Sequence, residues 1–454
     1  MNDNLRKWLP WILVAAVAVI IVIVIAVNSG GDDEAATTTT AADATTTTVA
    51  EETTTTAEET TTTAAEETTT SSSEAPDALE PIPVRIGAIL PQTGGLASII
   101  SALEEPIRMG VEEFNAVSAD LVTVDFADSG TDPSIASTNI DQFLTGDHNA
   151  IIGPAATGVA NAVWDKVNTS EMVMCSGSST GAIFSGSDFN PYHVRTAPSD
   201  EIQGPLLGNI IVDDGYANVA VIWRSDEYGE GFGSSVADSV EGAGATVVLR
   251  EGYDFTQTSY TDLANKIVAS GADAVAMIVF AEGGQIVLDL ESAGFDGQVY
   301  VADGFVDNIT ADAVGGRTEL IEGFKGTYPA LAPATGEATF VDRLKAFAPD
   351  APTIFSAHKY DCLVTLVLAA QVAQSSDPKV FVDEIIGVTR DGEKCSLIGD
   401  CLELVWAGVD IDYDGASGAL DFSENGEPGI GTYDVFVYGS DMGRETLEQV
   451  EGNL

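Results

Sequence analysis

The chain has 454 residues, 71 acidic against 18 basic side chains, a formal net charge of −53, 45 glycines, four cysteines and three histidines. That balance excludes nucleic-acid binding, which needs clustered Lys and Arg to neutralise phosphate. His148, His193 and His358 are too scattered to form a ligand cluster with the cysteines, so no metal and no other cofactor is expected. The acid excess reads as a solubility surface suited to a saline medium, with attraction of cationic solutes as the alternative.

Arg6 and Lys7 precede Trp8–Val27, twenty residues without a charge. That length crosses a hydrocarbon core of ~30 Å. Basic residues before it and acids after it orient the N-terminus to the cytoplasm and the rest outside. An uncleaved membrane anchor over 1–30 is expected rather than a signal peptide. The apolar run is long for a signal, and AVNSGG is a poor cleavage site. No cysteine follows it to carry a lipid. Residues 31–80 hold repeated TTTT blocks with Ala and Glu and no base. Such a tract cannot bury enough surface to fold and reads as an extended stalk.

From Pro81 to Leu454 strands and helices alternate, over a length that suits two lobes. VRIGAIL (Val84–Leu90) reads as a buried strand, PQTGG as a turn at its carboxyl end, and the following stretch with Ile107, Met109, Val111 and Phe114 as a helix. Further strands are expected at Val122–Asp125, Ala150–Ile152, Met172–Cys175, Val219–Trp223, Thr246–Arg250, Ala274–Val279 and Gln298–Val301. Helices fall between them, at Ser134–Leu144, Gly158–Val167, Glu201–Val212, Gly231–Gly242, Tyr260–Ser270 and Gly284–Ala293. This βα repetition predicts an α/β fold with parallel-sheet cores. After Gly326 the pattern turns helical: Thr339–Phe347, a long apolar stretch Ile354–Ala373, and Pro378–Ile386, with a last strand at Tyr433–Tyr438.

Cys395 and Cys401, six apart in the loop-like EKCSLIGDCLEL, suit a local disulfide outside the membrane, with two free thiols as the alternative. Cys175 in an apolar strand and Cys362 in an apolar helix read as small buried residues rather than nucleophiles.

Seven segments stand in one order: IGAILPQTGG with a helix ending VEEFNA, AIIGPAATG, MCSGSST, RTAPSDEIQG, VAVIWRSDEYGEGF, VAMIVFAEGGQ and YVADGF. In these the body resembles the extracellular solute-binding proteins of ABC transporters, of the branched-chain amino acid (leucine/isoleucine/valine-binding) type, periplasmic binding protein class I. The resemblance runs along nearly all of Pro81–Leu454. It implies two Rossmann-like lobes joined by three hinge crossings, near Thr196, near Tyr328 and in SGALDFSENGEP. Lobe one would hold about 82–197 and 328–425, lobe two about 198–327 and 426–454.

An α-amino acid needs an anion site and a cation site. Loops that leave strands and enter helices offer free N–H groups, and GPAATG and GSSTG add hydroxyls at Thr157, Ser178, Ser179 and Thr180. On the residues alone these serve equally as helix N-caps. The resemblance places Thr157, Ser178 and Thr180 at carboxylate-binding positions. It matches Asp303 to the family's acid for the ligand ammonium, where a glutamate is common. On the residues alone an Asp-Gly turn is the alternative. It matches Tyr228 to a cleft tyrosine and Phe280 to a second aromatic, with Phe355 a third candidate. Ile99 stands where a cleft tyrosine is common, which opens the ligand's identity.

YGEGF is no phosphate loop, since the Walker lysine is missing. No Ser-His-Asp order or HExxH is present, so no enzyme is expected. The resemblance implies a solute-binding component of an ABC importer for a small amino acid, partnered by a permease and its ATPase. A binder of amide or urea-type solutes, or a ligand-sensing ectodomain acting with a partner, are the alternatives.

Overall fold

The computed structural model describes residues 79–186, 189, 191–331 and 337–454. The expected anchor, and the expected stalk up to residue 78, lie outside them. Among the described residues no helix is long and apolar enough to cross a membrane. Leu79 and Glu80 are tied to the body: the Leu79 N–H donates to the Trp406 carbonyl at 2.9 Å and Gln374 Nε2 donates to the Glu80 carbonyl.

Two large sheets organise the body. The first contains β1 (Val84–Leu90), β2 (Val122–Asp128), β3 (Ala150–Ile152), β4 (Val173–Ser176) and β5 (His193–Arg195). Its order is β2-β1-β3-β4-β5, all parallel. Its helices include α1 (Ile100–Val117), α2 (Pro133–Asn139) and α3 (Thr157–Thr169), and the helix expected at Ser134–Leu144 is split into α2 and a single turn at Asp141–Leu144. Asp132 starts α2 by accepting from the N–H groups of Ser134 and Ile135, and Pro133 needs no partner in the first turn.

α4 (Asp200–Asp213) leads into the second sheet, which alternates β6 (Asn218–Arg224), α5 (Glu227–Gly242), β7 (Thr246–Tyr253), α6 (Thr261–Ser270), β8 (Ala274–Ile278), α7 (Gly283–Ala293) and β9 (Gln298–Val301), then adds β10 (Lys325–Pro329). α8 (Glu337–Phe347), α9 (Ser356–Val372), β11 (Glu393–Cys395), α10 (Ile398–Trp406), β12 (Ile411–Gly415) and β13 (Gly418–Ala419) follow. β14 (Ile430–Tyr438) and β15 (Arg444–Asn453) then return to the second sheet, whose order is β15-β14-β10-β9-β8-β6-β7. β6 to β10 run parallel, and β14 and β15 are antiparallel additions. In each sheet one strand, β1 or β6, has the strands next in sequence on opposite sides. The loops at its carboxyl end diverge there and leave a crevice.

Parallel strands covered on both faces read as continuous apolar runs. AVAMI of β8 is wholly buried, and VRIGAIL exposes only Arg85 appreciably. α9 is buried all round except at its last residue. It carries Lys359 and Asp361 inside with it. Tyr413 Oη donates to Asp361 at 2.7 Å, and the N–H groups of Ala416 and Ser417 at 2.8 Å. Lys359 Nζ has no hydrogen-bond partner, and burial pushes its pKa down to about 7.

Several expectations need correction. Tyr433–Tyr438 is part of β14 but not the last strand: β15 pairs with it along its length. RETLEQVEGN is mostly exposed, so it lacks the apolar alternation that marks a half-buried strand. β5, β10 and the small sheet β11-β12-β13 were also not expected. Their sequences, HVR, KGTYP, EKC, IDYDG and GA, carry no continuous apolar run. Cys395–Cys401 is no loop. Cys395 ends β11, Cys401 lies buried in α10, and the two form the expected disulfide. Cys175 and Cys362 are buried, but as a second disulfide between β4 and α9 across 187 residues. Tyr328, near which a crossing was expected, pairs with β14.

Loop-closure entropy ranks the two bridges. Closing 187 residues is worth about 5 kcal/mol against about 2 kcal/mol for six. Cys175→Ala/Cys362→Ala should therefore lose clearly more stability in urea unfolding than Cys395→Ala/Cys401→Ala. The reverse ranking would show that the long bridge does not restrain the unfolded chain.

Candidate functional site

The carboxyl ends of the two sheets meet across a small cavity. From the first sheet's side come Leu96 and Ile99 after β1, Ala155, Ala156 and Thr157 after β3, Ser178 after β4, and Phe355 before α9. From the second come Tyr228 of α5, Phe280 after β8, and Asp303 and Gly304 after β9. Thus Thr157, Ser178, Tyr228, Phe280 and Asp303 meet around one space. Ile99 lines it as well, so the residue that departs from the usual tyrosine faces the same space. PQTGG does not: Leu96 and Ile99, just beyond it, form that wall, while Thr93 is tied to Asp128 at the end of β2.

Thr180 is buried behind the cavity rather than on it, and its carbonyl accepts the Asp200 N–H at 2.8 Å. Thr157 opens α3 and its Oγ1 accepts from the Gly181 N–H at 3.1 Å, which leaves the hydroxyl proton to donate. Neither hydroxyl acts as a side-chain cap: α3 is entered through Ala156. Ser176 and Ser179 instead knit the two loops together through the Pro154 and Ala155 carbonyls. The cavity therefore meets an uncapped helix N-terminus, which favours an anion.

The opposite wall is aromatic and acidic. Tyr228 Oη donates to Asp303 Oδ1 at 3.0 Å and accepts from the Gly304 N–H at 3.3 Å. Gly304 is required there, since a Cβ would fall 2.6 Å from the Val279 carbonyl oxygen. The Tyr228 and Phe280 rings stack at 5.1 Å, and the Arg224 guanidinium lies 3.8 Å from the Phe280 centroid. Arg224 is itself held by Asp226 and Glu282. Phe355 reaches the cavity from a left-handed backbone, φ 56°.

Asp303 is buried, which pushes its pKa up to about 6 despite the Tyr228 hydrogen bond. Asp200, inside RTAPSDEIQG, was not singled out in the sequence. It is buried beside Asp303, and burial followed by the Asp303 charge pushes its carboxyl well above the usual range. Its signal was faint, because an acid in a helix's first turn is ordinarily a response to the helix dipole.

The two sides also touch directly. Asn308 Nδ2, following β9, donates to the Gly95 carbonyl at 3.1 Å, and Ser98 Oγ donates to the Asn308 carbonyl and side-chain oxygens.

A family model described as periplasmic binding protein matches residues 83–400. The chain belongs to this family, a class of solute-binding proteins rather than enzymes. A second model, the new glue protein family, matches residues 9–81, the apolar and Thr-rich segment. The chain is 24% identical over 388 residues to the chemotactic signal transduction system substrate-binding protein BasB of Halobacterium salinarum, covering 81% of this chain and 89% of that one. In fold it is similar to the leucine binding protein LivK of Thermotoga maritima (TM-score 0.70, 20% identity, 81% of this chain and 98% of that chain). It is likewise similar to the branched-chain amino acid transporter substrate binding protein LivJ of Streptococcus pneumoniae in complex with isoleucine (TM-score 0.67, 18% identity, 82% and 100%).

Asp303 gives a pH test. Burial holds its folded-state pKa at about 6, above the ordinary aspartate value of 3.8. The native state therefore holds the proton more tightly, and this group's contribution to stability falls as pH rises through that interval. Unliganded Asp303→Asn should match the parent's melting temperature near pH 4 and exceed it increasingly towards pH 7. A difference that does not vary with pH would show that Asp303 is not held protonated by burial.

Proposed function

We propose that the protein is the solute-binding component of an ABC importer, taking up a small amino acid of the branched-chain type. The observation that carries this reading is the cavity itself. It joins an anion-favouring helix N-terminus, with Thr157 and Ser178, to the buried acid Asp303 across an apolar wall of Leu96, Ile99 and Phe355. A zwitterion with an aliphatic side chain complements all three parts. Isoleucine is the ligand named for the pneumococcal neighbour, and leucine names the Thermotoga one.

In this reading the sheets are the cores of two lobes, about 82–197 with 328–425 and about 198–327 with 426–454, hinged at three crossings. Thr157, Ser178 and Thr180 serve the carboxylate, Asp303 the ammonium, and Tyr228 and Phe280 cover the ligand. Thr180 acts from behind the cavity. Asn308 bridging to Gly95 and Ser98 fastens the closed form. Trp8–Val27 anchors the chain in the membrane, with the Thr-rich tract as stalk and the body outside facing a permease. A second reading, ligand sensing through a partner, is favoured by the halobacterial relative named for chemotactic signal transduction.

The test is a thermal-shift screen of the protein with the twenty amino acids, urea and acetamide. A subset of α-amino acids should stabilise it, by about 2.7 kcal/mol at a hundredfold excess over Kd. Asp303→Ala should abolish that response. No shift with any amino acid would overturn the reading, and a shift with urea or acetamide alone would replace it with an amide binder.

A further inference from the structure

Beside the chain crossings, and sharing no lining residue with the cleft cavity, lies a second pocket of about 190 Å³. All three crossings build it. Thr196 and Pro198 follow β5, Ala330 follows β10, and Leu420, Asp421 and Pro428 lie between β13 and β14. His358 of α9 and Glu451 of β15 complete the lining. A volume of that order takes a small organic molecule of about five or six heavy atoms rather than one water. The sides are apolar, and one of them, Ile430, is 55% exposed. The polar side chains divide into spent and unspent. Thr196 Oγ1 donates to the His358 carbonyl at 2.6 Å, and Ser417 Oγ donates to Asp361. The His358 imidazole is 3% exposed, and its Nδ1 has no hydrogen-bond partner. Burial, and then the charge of Lys359, push its pKa down to about 3, so the ring is neutral and keeps one acceptor nitrogen. Asp421 and Glu451 are exposed, and neither joins an ion pair among the described residues. No Lys or Arg is among the described lining residues.

A buried polar group without a partner is costly. Two unpaired carboxylates and an unpaired imidazole nitrogen between apolar walls exclude an anion and ask for N–H donors on a positive charge. We propose that this hinge pocket is a second ligand site, for a small organic ammonium with an aliphatic body, and that its occupant regulates closure of the cleft. The aliphatic body lies against Pro198, Leu420 and Ile430, and the N–H groups face the two acids and the imidazole. Each crossing supplies part of the lining, so a rotation of one sheet against the other changes the pocket. An occupant braces the crossings as they stand here, with Asn308 joined to Gly95 and Ser98 across the cleft. It therefore favours this arrangement over a more open one, and whatever the cleft binds favours the occupant in return.

The site stands apart from the amino-acid reading above, and only its coupling to the cleft rests on that reading. The probe is n-butylammonium, with butyrate, n-butanol and ammonium at equal ionic strength as controls. Without amino acid, the full chain should melt higher with n-butylammonium than with any control. Asp421→Asn/Glu451→Gln should lose that shift. Both residues are exposed, and Asn tolerates the left-handed backbone at position 421, φ 37°. Ala419→Trp, which fills the pocket from an exposed position, should lose it too. In titration calorimetry n-butylammonium should lower the Kd of L-isoleucine about 5-fold or more in wild type. It should leave that Kd unchanged in the double variant, which without amine should match wild type. No shift overturns the site. So does a shift that survives in both variants or that L-isoleucine abolishes, since the amine then binds elsewhere, the acidic end of the cleft included. A pocket-dependent shift with an unchanged Kd overturns the coupling and leaves the site. Failure of every amino acid to bind overturns the amino-acid reading and the coupling with it, while the amine shift still decides the site.

Discussion

Arg195 and Glu427 form a buried ion pair on which the geometry of the cleft depends. Arg195 ends β5 where the chain first leaves the first sheet, and Glu427 lies on the last crossing back to the second. The guanidinium donates to Glu427 and also to the Ser179 and Gly181 carbonyls, so one charge fixes two crossings and the loop after β4. The neighbouring Arg195 N–H donates to the Gly426 carbonyl. Breaking such a pair strands a charge inside the protein, which costs about 3–5 kcal/mol. The two crossings and the loop after β4 are therefore tied to one another, opposite the wall that carries Asp303.

That opposite wall is built for charge of the other sign. Its Arg224 is neutralised by Asp226 and Glu282 and lies over the Phe280 ring. What reaches the cavity is ring edge, phenol and acid. The cavity's difference in polarity follows from the helix N-terminus at one end and the buried Asp303 carboxyl at the other. It owes little to the chain's large negative charge, which belongs to the solvated surface.

The legible parts of the sequence were those where one element decides its own state. Val84–Leu90, Ala150–Ile152 and Gln298–Val301 fall where their apolar runs and turns place them. The ordered motifs pointed to the loops now found around the cavity. β15 was illegible because an exposed strand has no apolar face to show, and β5 because HVR carries no apolar run. Thr180 sat in the right loop but on its far side, a difference of rotation within one turn that no spacing encodes.

By itself the sequence determined the α/β class, the βα order and the family, since these rest on local periodicity and motif order. Only the tertiary structure decided the partners of long-range pairs. Cys175 meets Cys362 because β4 packs on α9, and Asp200 faces Asp303 because a crossing brings the start of α4 under the end of β9. Both depend on contacts between residues about a hundred or more positions apart. Whether an acid is a solvated helix cap or a buried half of a charge pair is a property of what folds over it.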